Sequence, residues 1–321
     1  MSNLKNIFPK SLKKGDKIAI VSPAGFVEKS ALEKTLNLIE KHDYEPVLGK
    51  YALGKFSCGY DYSGTEQERI SDLNQALNSD EISAIWATRG GYGCLHLLRH
   101  LKLSGFKKNP KWYIGYSDNT VLQSFLLKNG FASIHGQTIK TPDFGISKES
   151  YEDIFKILKG EKPEYSVENQ PLNKPGKAEG ELVGGNLALI YALLGTPYSF
   201  DFRDKILFIE DIGENFYSLD RMLMAMDLAG VFKKIKGLIV GGMTNMGDEK
   251  ENKNYAESFD SLAYEIVNQR IKNYGFPVIF GFPNGHIFDN RPLIIGEKIK
   301  IDSSCNSELN SRVLSWKLQF M

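Results

Sequence analysis

The stretch Lys111-Trp-Tyr-Ile-Gly-Tyr-Ser-Asp-Asn-Thr120 contains the change of pattern that decides the fold. Trp112 to Ile114 are aromatic or β-branched residues, which favour a buried strand. Gly115 permits a tight turn, and the apolar residues from Val121 to Leu127 then recur at helical spacing. The stretch therefore predicts a strand, a sharp turn and a helix, with Ser117 at the apex of the turn.

This predicted geometry is that of a nucleophile elbow, which lifts a hydroxyl clear of the sheet and directs backbone N–H groups at the group that it attacks. A serine at such a junction can also simply cap the helix. Asp118 and Asn119 are capping residues too, so either of them could cap the helix if Ser117 is a nucleophile. The stretch alone leaves both interpretations of Ser117 open.

The predicted elements around this turn alternate between strand and helix. Short β-branched runs at residues 17–22, 82–88 and 131–134 read as strands, and helical patterns cover residues 30–41 and 65–78. The alternation predicts an α/β fold with a doubly wound parallel sheet, whose functional loops gather at the carboxyl ends of the strands. The loop after the first strand lacks a G-x-G-x-x-G pattern, so a dinucleotide fingerprint is absent.

The pattern changes near residue 141, and at roughly 150 residues per domain a chain of 321 residues suggests two domains. Residues 141–178 contain a short helical pattern and then polar, proline-bearing sequence, which is typical of an interdomain connection. We therefore expect an N-terminal α/β domain over residues 1–140 and a C-terminal mixed α/β domain of short strands over residues 179–321.

Charge and cysteine content exclude several classes of partner. Forty basic and thirty-nine acidic side chains leave a net charge of +1, so we expect neither a nucleic-acid nor a membrane partner. No window approaches the roughly 18 to 20 apolar residues of a membrane span. Cys58, Cys94 and Cys305 are widely spaced, which argues against a disulfide framework or a zinc site and favours a cytoplasmic location.

Two glycine and histidine patterns allow more than one interpretation. Arg89-Gly-Gly-Tyr-Gly93 follows a predicted strand and fits either an anion-binding loop or a plain tight turn. His96 and His100 are four residues apart, the spacing of a metal pair. However, the glutamate expected between such ligands is missing, which favours a role on the helix surface.

A serine nucleophile needs a base and a third group that orients the base. His135 and His286 stand in glycine-flanked loops after strands, whereas the other three histidines end or lie within helical patterns. Glu210 directly follows four apolar strand residues, so we expect its head group to emerge at a strand end. Asp211 and Glu214 compete with it, and the spacing alone does not choose among them.

Seven motifs, taken together and in this order, resemble the LD-carboxypeptidase family, which includes the LD-carboxypeptidase A enzymes and the microcin-immunity peptidases. The resemblance runs from Gly15 to about Ile301. The motifs are Arg89-Gly-Gly-Tyr-Gly93, Gly115-Tyr-Ser-Asp118, Gly180-Glu-Leu-Val-Gly-Gly-Asn-Leu187, Gly195-Thr-Pro197, Ile206-Leu-Phe-Ile-Glu-Asp211, Asp220-Arg221 and Gly281-Phe-Pro-Asn-Gly-His286. One departure is His135-Gly-Gln137, where members often have proline after the glycine.

The resemblance implies a role for each matching residue. Ser117 would be the nucleophile, Glu210 the orienting carboxylate and His286 the general base. The backbone N–H groups of Gly91 and Asp118 would form the oxyanion hole. In the family fold the serine stands in the N-terminal domain and the glutamate and histidine in the C-terminal domain, typically of a homodimer.

The resemblance also implies a substrate. It points to a small peptide, the muropeptide tetrapeptide of peptidoglycan recycling, whose terminal D-alanine is released without a metal or other cofactor. Arg89 and Asn186 are the expected substrate contacts. An alternative is a peptidyl-nucleotide antibiotic, as in the microcin-immunity branch. A base could then stack on an aromatic residue of the interdomain connection or of the loop near residue 250, namely Phe144, Tyr151, Tyr165 or Tyr255. A catalytically inactive binding protein is disfavoured, because all three triad residues are present.

Overall fold

The structure is a computed structural model that describes residues 6–140, 142, 145–247, 258–305 and 314–321. The described chain divides into two compact units. Unit 1 runs up to Glu161 and includes Arg291–Ile294, and unit 2 comprises Lys162–Asn290 and the residues from Ile295 onward.

The regular elements are numbered in chain order. The strands are β1 (Lys17–Val21), β2 (Glu45–Leu48), β3 (Phe56–Ser57), β4 (Asp61–Tyr62), β5 (Ile82–Ala87), β6 (Trp112–Gly115), β7 (Ser133–His135), β8 (Glu164–Glu168), β9 (Lys177–Asn186), β10 (Ile206–Ile212), β11 (Gly237–Thr244), β12 (Val278–Phe280), β13 (Leu293–Ile295), β14 (Lys298–Cys305) and β15 (Leu314–Phe320). The helices are α1 (Ser30–Lys41), α2 (Glu66–Asn78), α3 (Ser104–Lys108), α4 (Thr120–Lys128), α5 (Lys148–Leu158), α6 (Leu187–Leu193), α7 (Phe216–Leu228) and α8 (Ser261–Ile271).

Unit 1 is built on a six-stranded sheet with the strand order β13-β7-β6-β5-β1-β2. The pairs from β2 through β1, β5 and β6 to β7 are parallel. The strands β5 and β6 in the middle are almost wholly buried, as expected for parallel strands that are covered on both faces. This sheet confirms the predicted doubly wound parallel architecture.

Local sequence signals explain the helices of unit 1. The hydroxyl of Thr65 accepts a hydrogen bond from the backbone N–H of Glu68, and the Glu68 carboxylate accepts one from the Thr65 N–H. This capping box starts α2 where the sequence predicts it. The helical pattern that contains His96 and His100 forms a 3₁₀ helix, Cys94–His100. Apolar residues that recur every three to four positions do not distinguish the two helix types.

Unit 2 contains a seven-stranded mixed sheet with the order β12-β11-β10-β9-β14-β15-β8. The ten-residue strand β9 joins its two halves. Its Leu182–Asn186 part pairs in parallel with β10, whereas its Lys177–Glu181 part pairs antiparallel with β14. The prediction of a mixed C-terminal domain is confirmed.

Some elements differ from the sequence-based expectation. The stretch 141–178, expected to be a connection, contributes α5 to unit 1 and β8 to unit 2. The strands expected in the C-terminal domain do not all belong to it, because β13 lies beside β7 in the sheet of unit 1. β14 and β15 are eight and seven residues long. The tertiary fold determines which strands pair, and a single run of apolar residues does not reveal its partner.

Candidate active site

The predicted elbow lies at the junction of β6 and α4. Tyr116 continues the extended backbone of β6, and Ser117 then adopts a left-handed conformation with φ of +63°. A serine in this region is uncommon, and holding it there costs about 1–3 kcal/mol, which the surrounding fold must supply. Ser117 is partly exposed, whereas Tyr116 and Asp118 on either side of it are buried. The strained turn therefore presents the serine at the surface of unit 1.

The prediction that Asp118 or Asn119 caps α4 is wrong, because neither side chain makes a capping hydrogen bond. Oδ2 of Asp118 accepts a hydrogen bond of 2.8 Å from the backbone N–H of Cys94. Oδ1 of Asn119 accepts one of 2.6 Å from the Tyr113 hydroxyl, and its Nδ2 donates to the Tyr116 carbonyl at 2.9 Å. Both side chains are buried, and they form hydrogen bonds behind the turn instead of capping the helix.

The glycine loop that follows β5 packs directly against the elbow. A Cβ built on Gly90 would stand 2.8 Å from Cβ and 2.9 Å from Oγ of Ser117, and 3.3 Å from the backbone nitrogen of Asp118. Gly91 has a φ of +109° and is exposed. No acceptor among the described residues takes its N–H. The loop thus leaves a backbone donor open close to the serine, as the anion-binding interpretation expects.

A buried polar network supports the elbow from behind. Burial raises the pKa of the Asp118 carboxyl, and its hydrogen bonds with Cys94 and the charge of Arg69 only partly offset this effect. Burial likewise raises the pKa of the Cys94 thiol. Arg69 donates from Nη1 to the carbonyls of Pro23 and Gly93, at 2.7 and 2.9 Å. The network ties the glycine loop to both the elbow and α2.

His135, one of the two loop histidines, is fully buried in unit 1. Its Nδ1 lies 3.0 Å from Oε1 of Gln123. The Gln123 amide nitrogen donates to the carbonyls of Gly115 and Ile134, so Oε1 is the acceptor and Nδ1 of His135 carries the proton. The ring therefore helps to hold β6, β7 and α4 together.

In unit 2, the other loop histidine, His286, contacts the carboxylate of Glu210. Nδ1 of His286 lies 2.7 Å from Oε2 of Glu210. The Glu210 side chain has no exposed surface, whereas that of His286 is 12% exposed. A Cβ on Gly285, whose φ is +119°, would stand 2.8 Å from both Cβ and Oε2 of Glu210. Only a glycine lets the chain pass this close to the carboxylate.

Electrostatics at this pair favour a proton on the imidazole. Burial lowers the pKa of His286, but the charge of Glu210, its hydrogen bond and the charge of Asp211 outweigh burial and leave the pKa raised. A carboxylate on Nδ1 also selects the tautomer in which Nε2 accepts a proton. The pair is therefore built to hold and stabilise a protonated imidazole.

The expectation that Glu210 emerges at a strand end is wrong in its position. β10 continues to Ile212, and its register with β11 shifts between Ile209 and Asp211. Glu210 lies inside the strand at this irregularity, fully buried. Four apolar residues followed by two acids mark the end of an apolar run, but a strand can continue through buried acids when each has a partner.

Asp211 has a separate role. Its carboxylate accepts hydrogen bonds from the Asn186 amide, from the Ala188 N–H at the start of α6 and from its own neighbour Ile212, at 2.8 to 2.9 Å. Burial and the charge of Glu210 raise its pKa to about 7. Asp211 therefore secures the start of α6 and adds negative charge near His286.

The two predicted substrate contacts differ in accessibility. Asn186 is 3% exposed, and its amide group binds Asp211 and caps α6 through Leu189. Arg89 is partly exposed, and its Nη1 donates to the Phe26 carbonyl at 3.0 Å.

The metal interpretation of the histidine pair gains no support. His96 Nε2 lies 3.3 Å from the Tyr92 hydroxyl, and His100 Nε2 lies 3.9 Å from a Glu66 oxygen. Within the described ranges, no group of three or more His, Cys, Asp or Glu side chains could hold a metal ion.

The aromatic residues considered for base stacking are of two kinds. Tyr151 and Tyr165 are 4% and 8% exposed and belong to the cores of units 1 and 2. Phe144 and Tyr255 lie outside the described residues, as does most of the loop predicted over residues 245–254.

Sequence reasoning assigned no individual role to three residues around the elbow. These are Gly90, which contacts Ser117, Gln123, which fixes His135, and Tyr60, whose hydroxyl approaches Gly91. Gly90 belongs to the glycine loop that the sequence singled out, so the loop was the available signal. No local pattern marks Gln123 or Tyr60, because their partners are distant in sequence.

Comparison with known proteins agrees with the motif resemblance. Residues 18–136 match the LD-carboxypeptidase N-terminal domain, and residues 179–301 match the LD-carboxypeptidase C-terminal domain. A probable murein peptide carboxypeptidase of Bacillus subtilis is 35% identical over 309 residues, which cover 93% of this chain and 92% of the relative. The microcin C7 self-immunity protein MccF of Escherichia coli is 27% identical over 329 residues, with coverages of 90% and 91%.

A solved structure agrees in fold. The muramoyltetrapeptide carboxypeptidase of Oxalobacter formigenes superposes with a TM-score of 0.78 at 26% identity, covering 94% of this chain and 98% of that one. The chain belongs to the LD-carboxypeptidase family, which is a family of peptidases. No helix in the described parts of the chain is long and apolar enough to span a membrane.

Proposed function

We propose that this protein is a serine carboxypeptidase that hydrolyses the L,D-peptide bond before the terminal D-alanine of muropeptide tetrapeptides. The contact of 2.7 Å between Glu210 and His286 carries the proposal. It supplies an imidazole whose tautomer and charge suit a general base, and the elbow supplies a serine in a strained, partly exposed position. In this proposal Ser117, His286 and Glu210 act as one triad.

The proposed chemistry has two halves. Nε2 of His286 takes the proton of Ser117 while Oγ attacks the scissile carbonyl, and the tetrahedral intermediate collapses as the imidazolium returns the proton to the leaving amine of D-alanine. Water then attacks the acyl-enzyme with the same base, which frees the tripeptide and Ser117. Glu210 holds the ring and stabilises its charge in both halves.

The oxyanion is assigned to two backbone donors, the N–H groups of Gly91 and Asp118. Two observations support this assignment, namely the open N–H of Gly91 and the Asp118 nitrogen beside the Gly90 contact point. Each such donor is typically worth about 10²- to 10³-fold in rate.

The substrate assignment rests on the relatives. The Bacillus subtilis relative is named a probable murein peptide carboxypeptidase, and the Oxalobacter formigenes structure is named a muramoyltetrapeptide carboxypeptidase. The second candidate is a peptidyl-nucleotide such as an aminoacyl-sulfamoyl adenosine, because a microcin immunity protein also matches nearly the whole chain. The proposal favours the muropeptide, since the relative at 35% identity bears that name.

A product assay tests the proposal. The protein is incubated with an L,D-tetrapeptide and, separately, with an aminoacyl-sulfamoyl adenosine, and released amino acid is quantified by mass spectrometry. We expect D-alanine from the tetrapeptide, none from the Ser117→Ala variant, and unchanged release with a chelator. Cleavage of the nucleotide analogue alone would assign the second function. Undiminished turnover by Ser117→Ala would remove Ser117 from the proposed mechanism.

A homodimer and a cytoplasmic location remain predictions of the motif resemblance and of cysteine content. Sedimentation of the purified protein and fractionation of cells test them directly.

A further inference from the structure

Two hydrogen-bond donors, one from Tyr60 and one from Arg89, converge beside the glycine loop of unit 1. A Cβ built on Gly25 would stand 2.7 Å from Oη of Tyr60 and 3.1 Å from Nε of Arg89. Both donors therefore approach the same face of Gly25, and the residues that carry them, Tyr60 and Arg89, are both partly exposed.

Neither donor is used inside the described protein. Nη1 of Arg89 donates a hydrogen bond to the Phe26 carbonyl, which fixes the guanidinium. Nε of Arg89 has no hydrogen-bond partner among the described residues. The same holds for the hydroxyl of Tyr60. An anchored guanidinium and a tyrosine hydroxyl together form a positively charged donor pair, which suits a carboxylate.

The Tyr60 side chain is held in place by its neighbours. Its ring packs edge-on against Tyr62 and Tyr92, with centroids 5.2 and 6.1 Å apart. Its hydroxyl also occupies the position where Gly91 would carry a Cβ, at 2.1 Å from that point. The donor pair is thus preorganised, which reduces the entropy that a ligand must overcome.

One peptide group separates this pair from the serine. The carbonyl of Gly90 accepts a hydrogen bond from the Gly25 N–H, and its oxygen stands 3.2 Å from the Gly25 Cβ point. The direction in which Gly90 would carry a Cβ points at Ser117. In a peptide that ends in D-alanine, the terminal carboxylate lies only three bonds from the scissile carbonyl carbon. A carboxylate subsite must therefore lie this close to the nucleophile.

We propose that Tyr60 Oη and Arg89 Nε bind the terminal carboxylate of the leaving D-amino acid and so make the enzyme specific for a free C-terminus. This inference rests on the proposed function, because it assigns the leaving group of that reaction to these donors. Tyr60 is the new element, since its position in sequence carries no signal for a role at the glycine loop.

The experiment compares a tetrapeptide that ends in D-alanine with the same peptide that ends in D-alaninamide. The wild-type protein is expected to prefer the carboxylate by at least about 100-fold in kcat/KM, since the amide lacks the negative charge that the donor pair binds. Tyr60→Phe, which keeps the ring contacts, and Arg89→Gln should each lower kcat/KM for the carboxylate peptide by about 10- to 100-fold through KM. Cleavage of the amide peptide should change less than threefold.

Tyr92→Phe is the matched control, because Tyr92 belongs to the same ring cluster but directs its hydroxyl to His96. It should behave as wild type with both peptides. Equal loss on the two peptides in Tyr60→Phe, or no loss on either, would overturn the carboxylate subsite.

Binding separates this inference from the proposed function. The Ser117→Ala variant is titrated calorimetrically with each peptide, alone and combined with Tyr60→Phe or Arg89→Gln. Preferential binding of the carboxylate peptide that either second substitution abolishes supports the subsite even if the wild-type protein releases no D-alanine. Equal binding of the two peptides contradicts the subsite, whatever the outcome of the activity assay.

Discussion

His286 Nδ1 and Glu210 Oε2 are 2.7 Å apart, and the carboxylate of this pair is wholly buried. The contact holds because Gly285 lets the backbone pass beside the glutamate side chain. A buried charge without a partner would be costly, so each member of the pair stabilises the charged form of the other. This mutual dependence leads to the first prediction.

Glu210→Gln should lower kcat/KM by about 10²- to 10⁴-fold, because the amide cannot stabilise the imidazolium and need not select the same tautomer. Burial lowers the pKa of His286 and Glu210 raises it, so the substitution should lower that pKa. A general base must be neutral to act, and the acid limb of the pH–rate profile should therefore move to lower pH.

Glu214→Gln is the control for this experiment, since Glu214 lies in the same acidic stretch and is one of the two competing carboxylates. It should change kcat/KM less than about twofold and leave the acid limb in place. An acid limb that stays fixed or moves to higher pH in Glu210→Gln would contradict the proposed pairing.

Substitutions at Ser117 should separate chemistry from strain. Ser117→Ala and Ser117→Gly should both release no D-alanine. Because residue 117 has a φ of +63°, the glycine variant should be more stable than the alanine variant. We expect a difference of about 0.5–1 kcal/mol in the free energy of unfolding, since the left-handed cost exceeds the extra backbone entropy of glycine. Urea denaturation measures the difference, and a less stable glycine variant would argue against a strained elbow.

Gly90→Ala should impair catalysis through a steric effect. The added methyl would stand within 3 Å of Cβ and Oγ of Ser117, so the serine or the loop must shift. We expect at least about a 100-fold loss in kcat with a stability loss of about 1–3 kcal/mol. Gly275→Ala is the matched control, because nothing lies within 4 Å of its Cβ point, and it should change neither quantity. Full activity of Gly90→Ala would show that the contact with Ser117 is not needed.

Asp211 should make stability depend on pH. Its pKa of about 7 in the folded protein exceeds the ordinary aspartate pKa of 3.8, so folding takes up a proton between about pH 4 and pH 7. The contribution of Asp211 to the free energy of unfolding should therefore fall as the pH rises through this range, by up to a few kcal/mol, on the order of 1.4 per pKa unit.

Asp211→Asn removes this titration. Urea denaturation from pH 4 to pH 8 measures the unfolding free energy of both proteins. The value for wild type minus the value for Asp211→Asn should decrease as the pH rises to 7 and then level off. A difference that grows with pH would mean that the hydrogen bonds from Asn186 and Ala188 dominate and keep the carboxylate charged.

Much of the fold could be predicted from local patterns. The capping box at Thr65, the β-branched runs of β1 and β5 and the strand–turn–helix around Ser117 each depend on residues that are close in sequence. Short-range sterics and hydrogen bonds determine such elements, so the pattern and the structure agree. The order of the motifs also assigned the family, which the comparisons confirm.

Other features were decided by tertiary structure alone. β13 joins the sheet of unit 1 although its neighbours in sequence lie in unit 2. The Asp118 carboxylate accepts a hydrogen bond from the Cys94 N–H and does not cap a helix. Glu210 is buried inside β10. Tyr60 reaches Gly25 and Gly91 from a distant part of the chain. A polar side chain binds whichever partner its burial offers, and that partner is known only when the chain has folded around it.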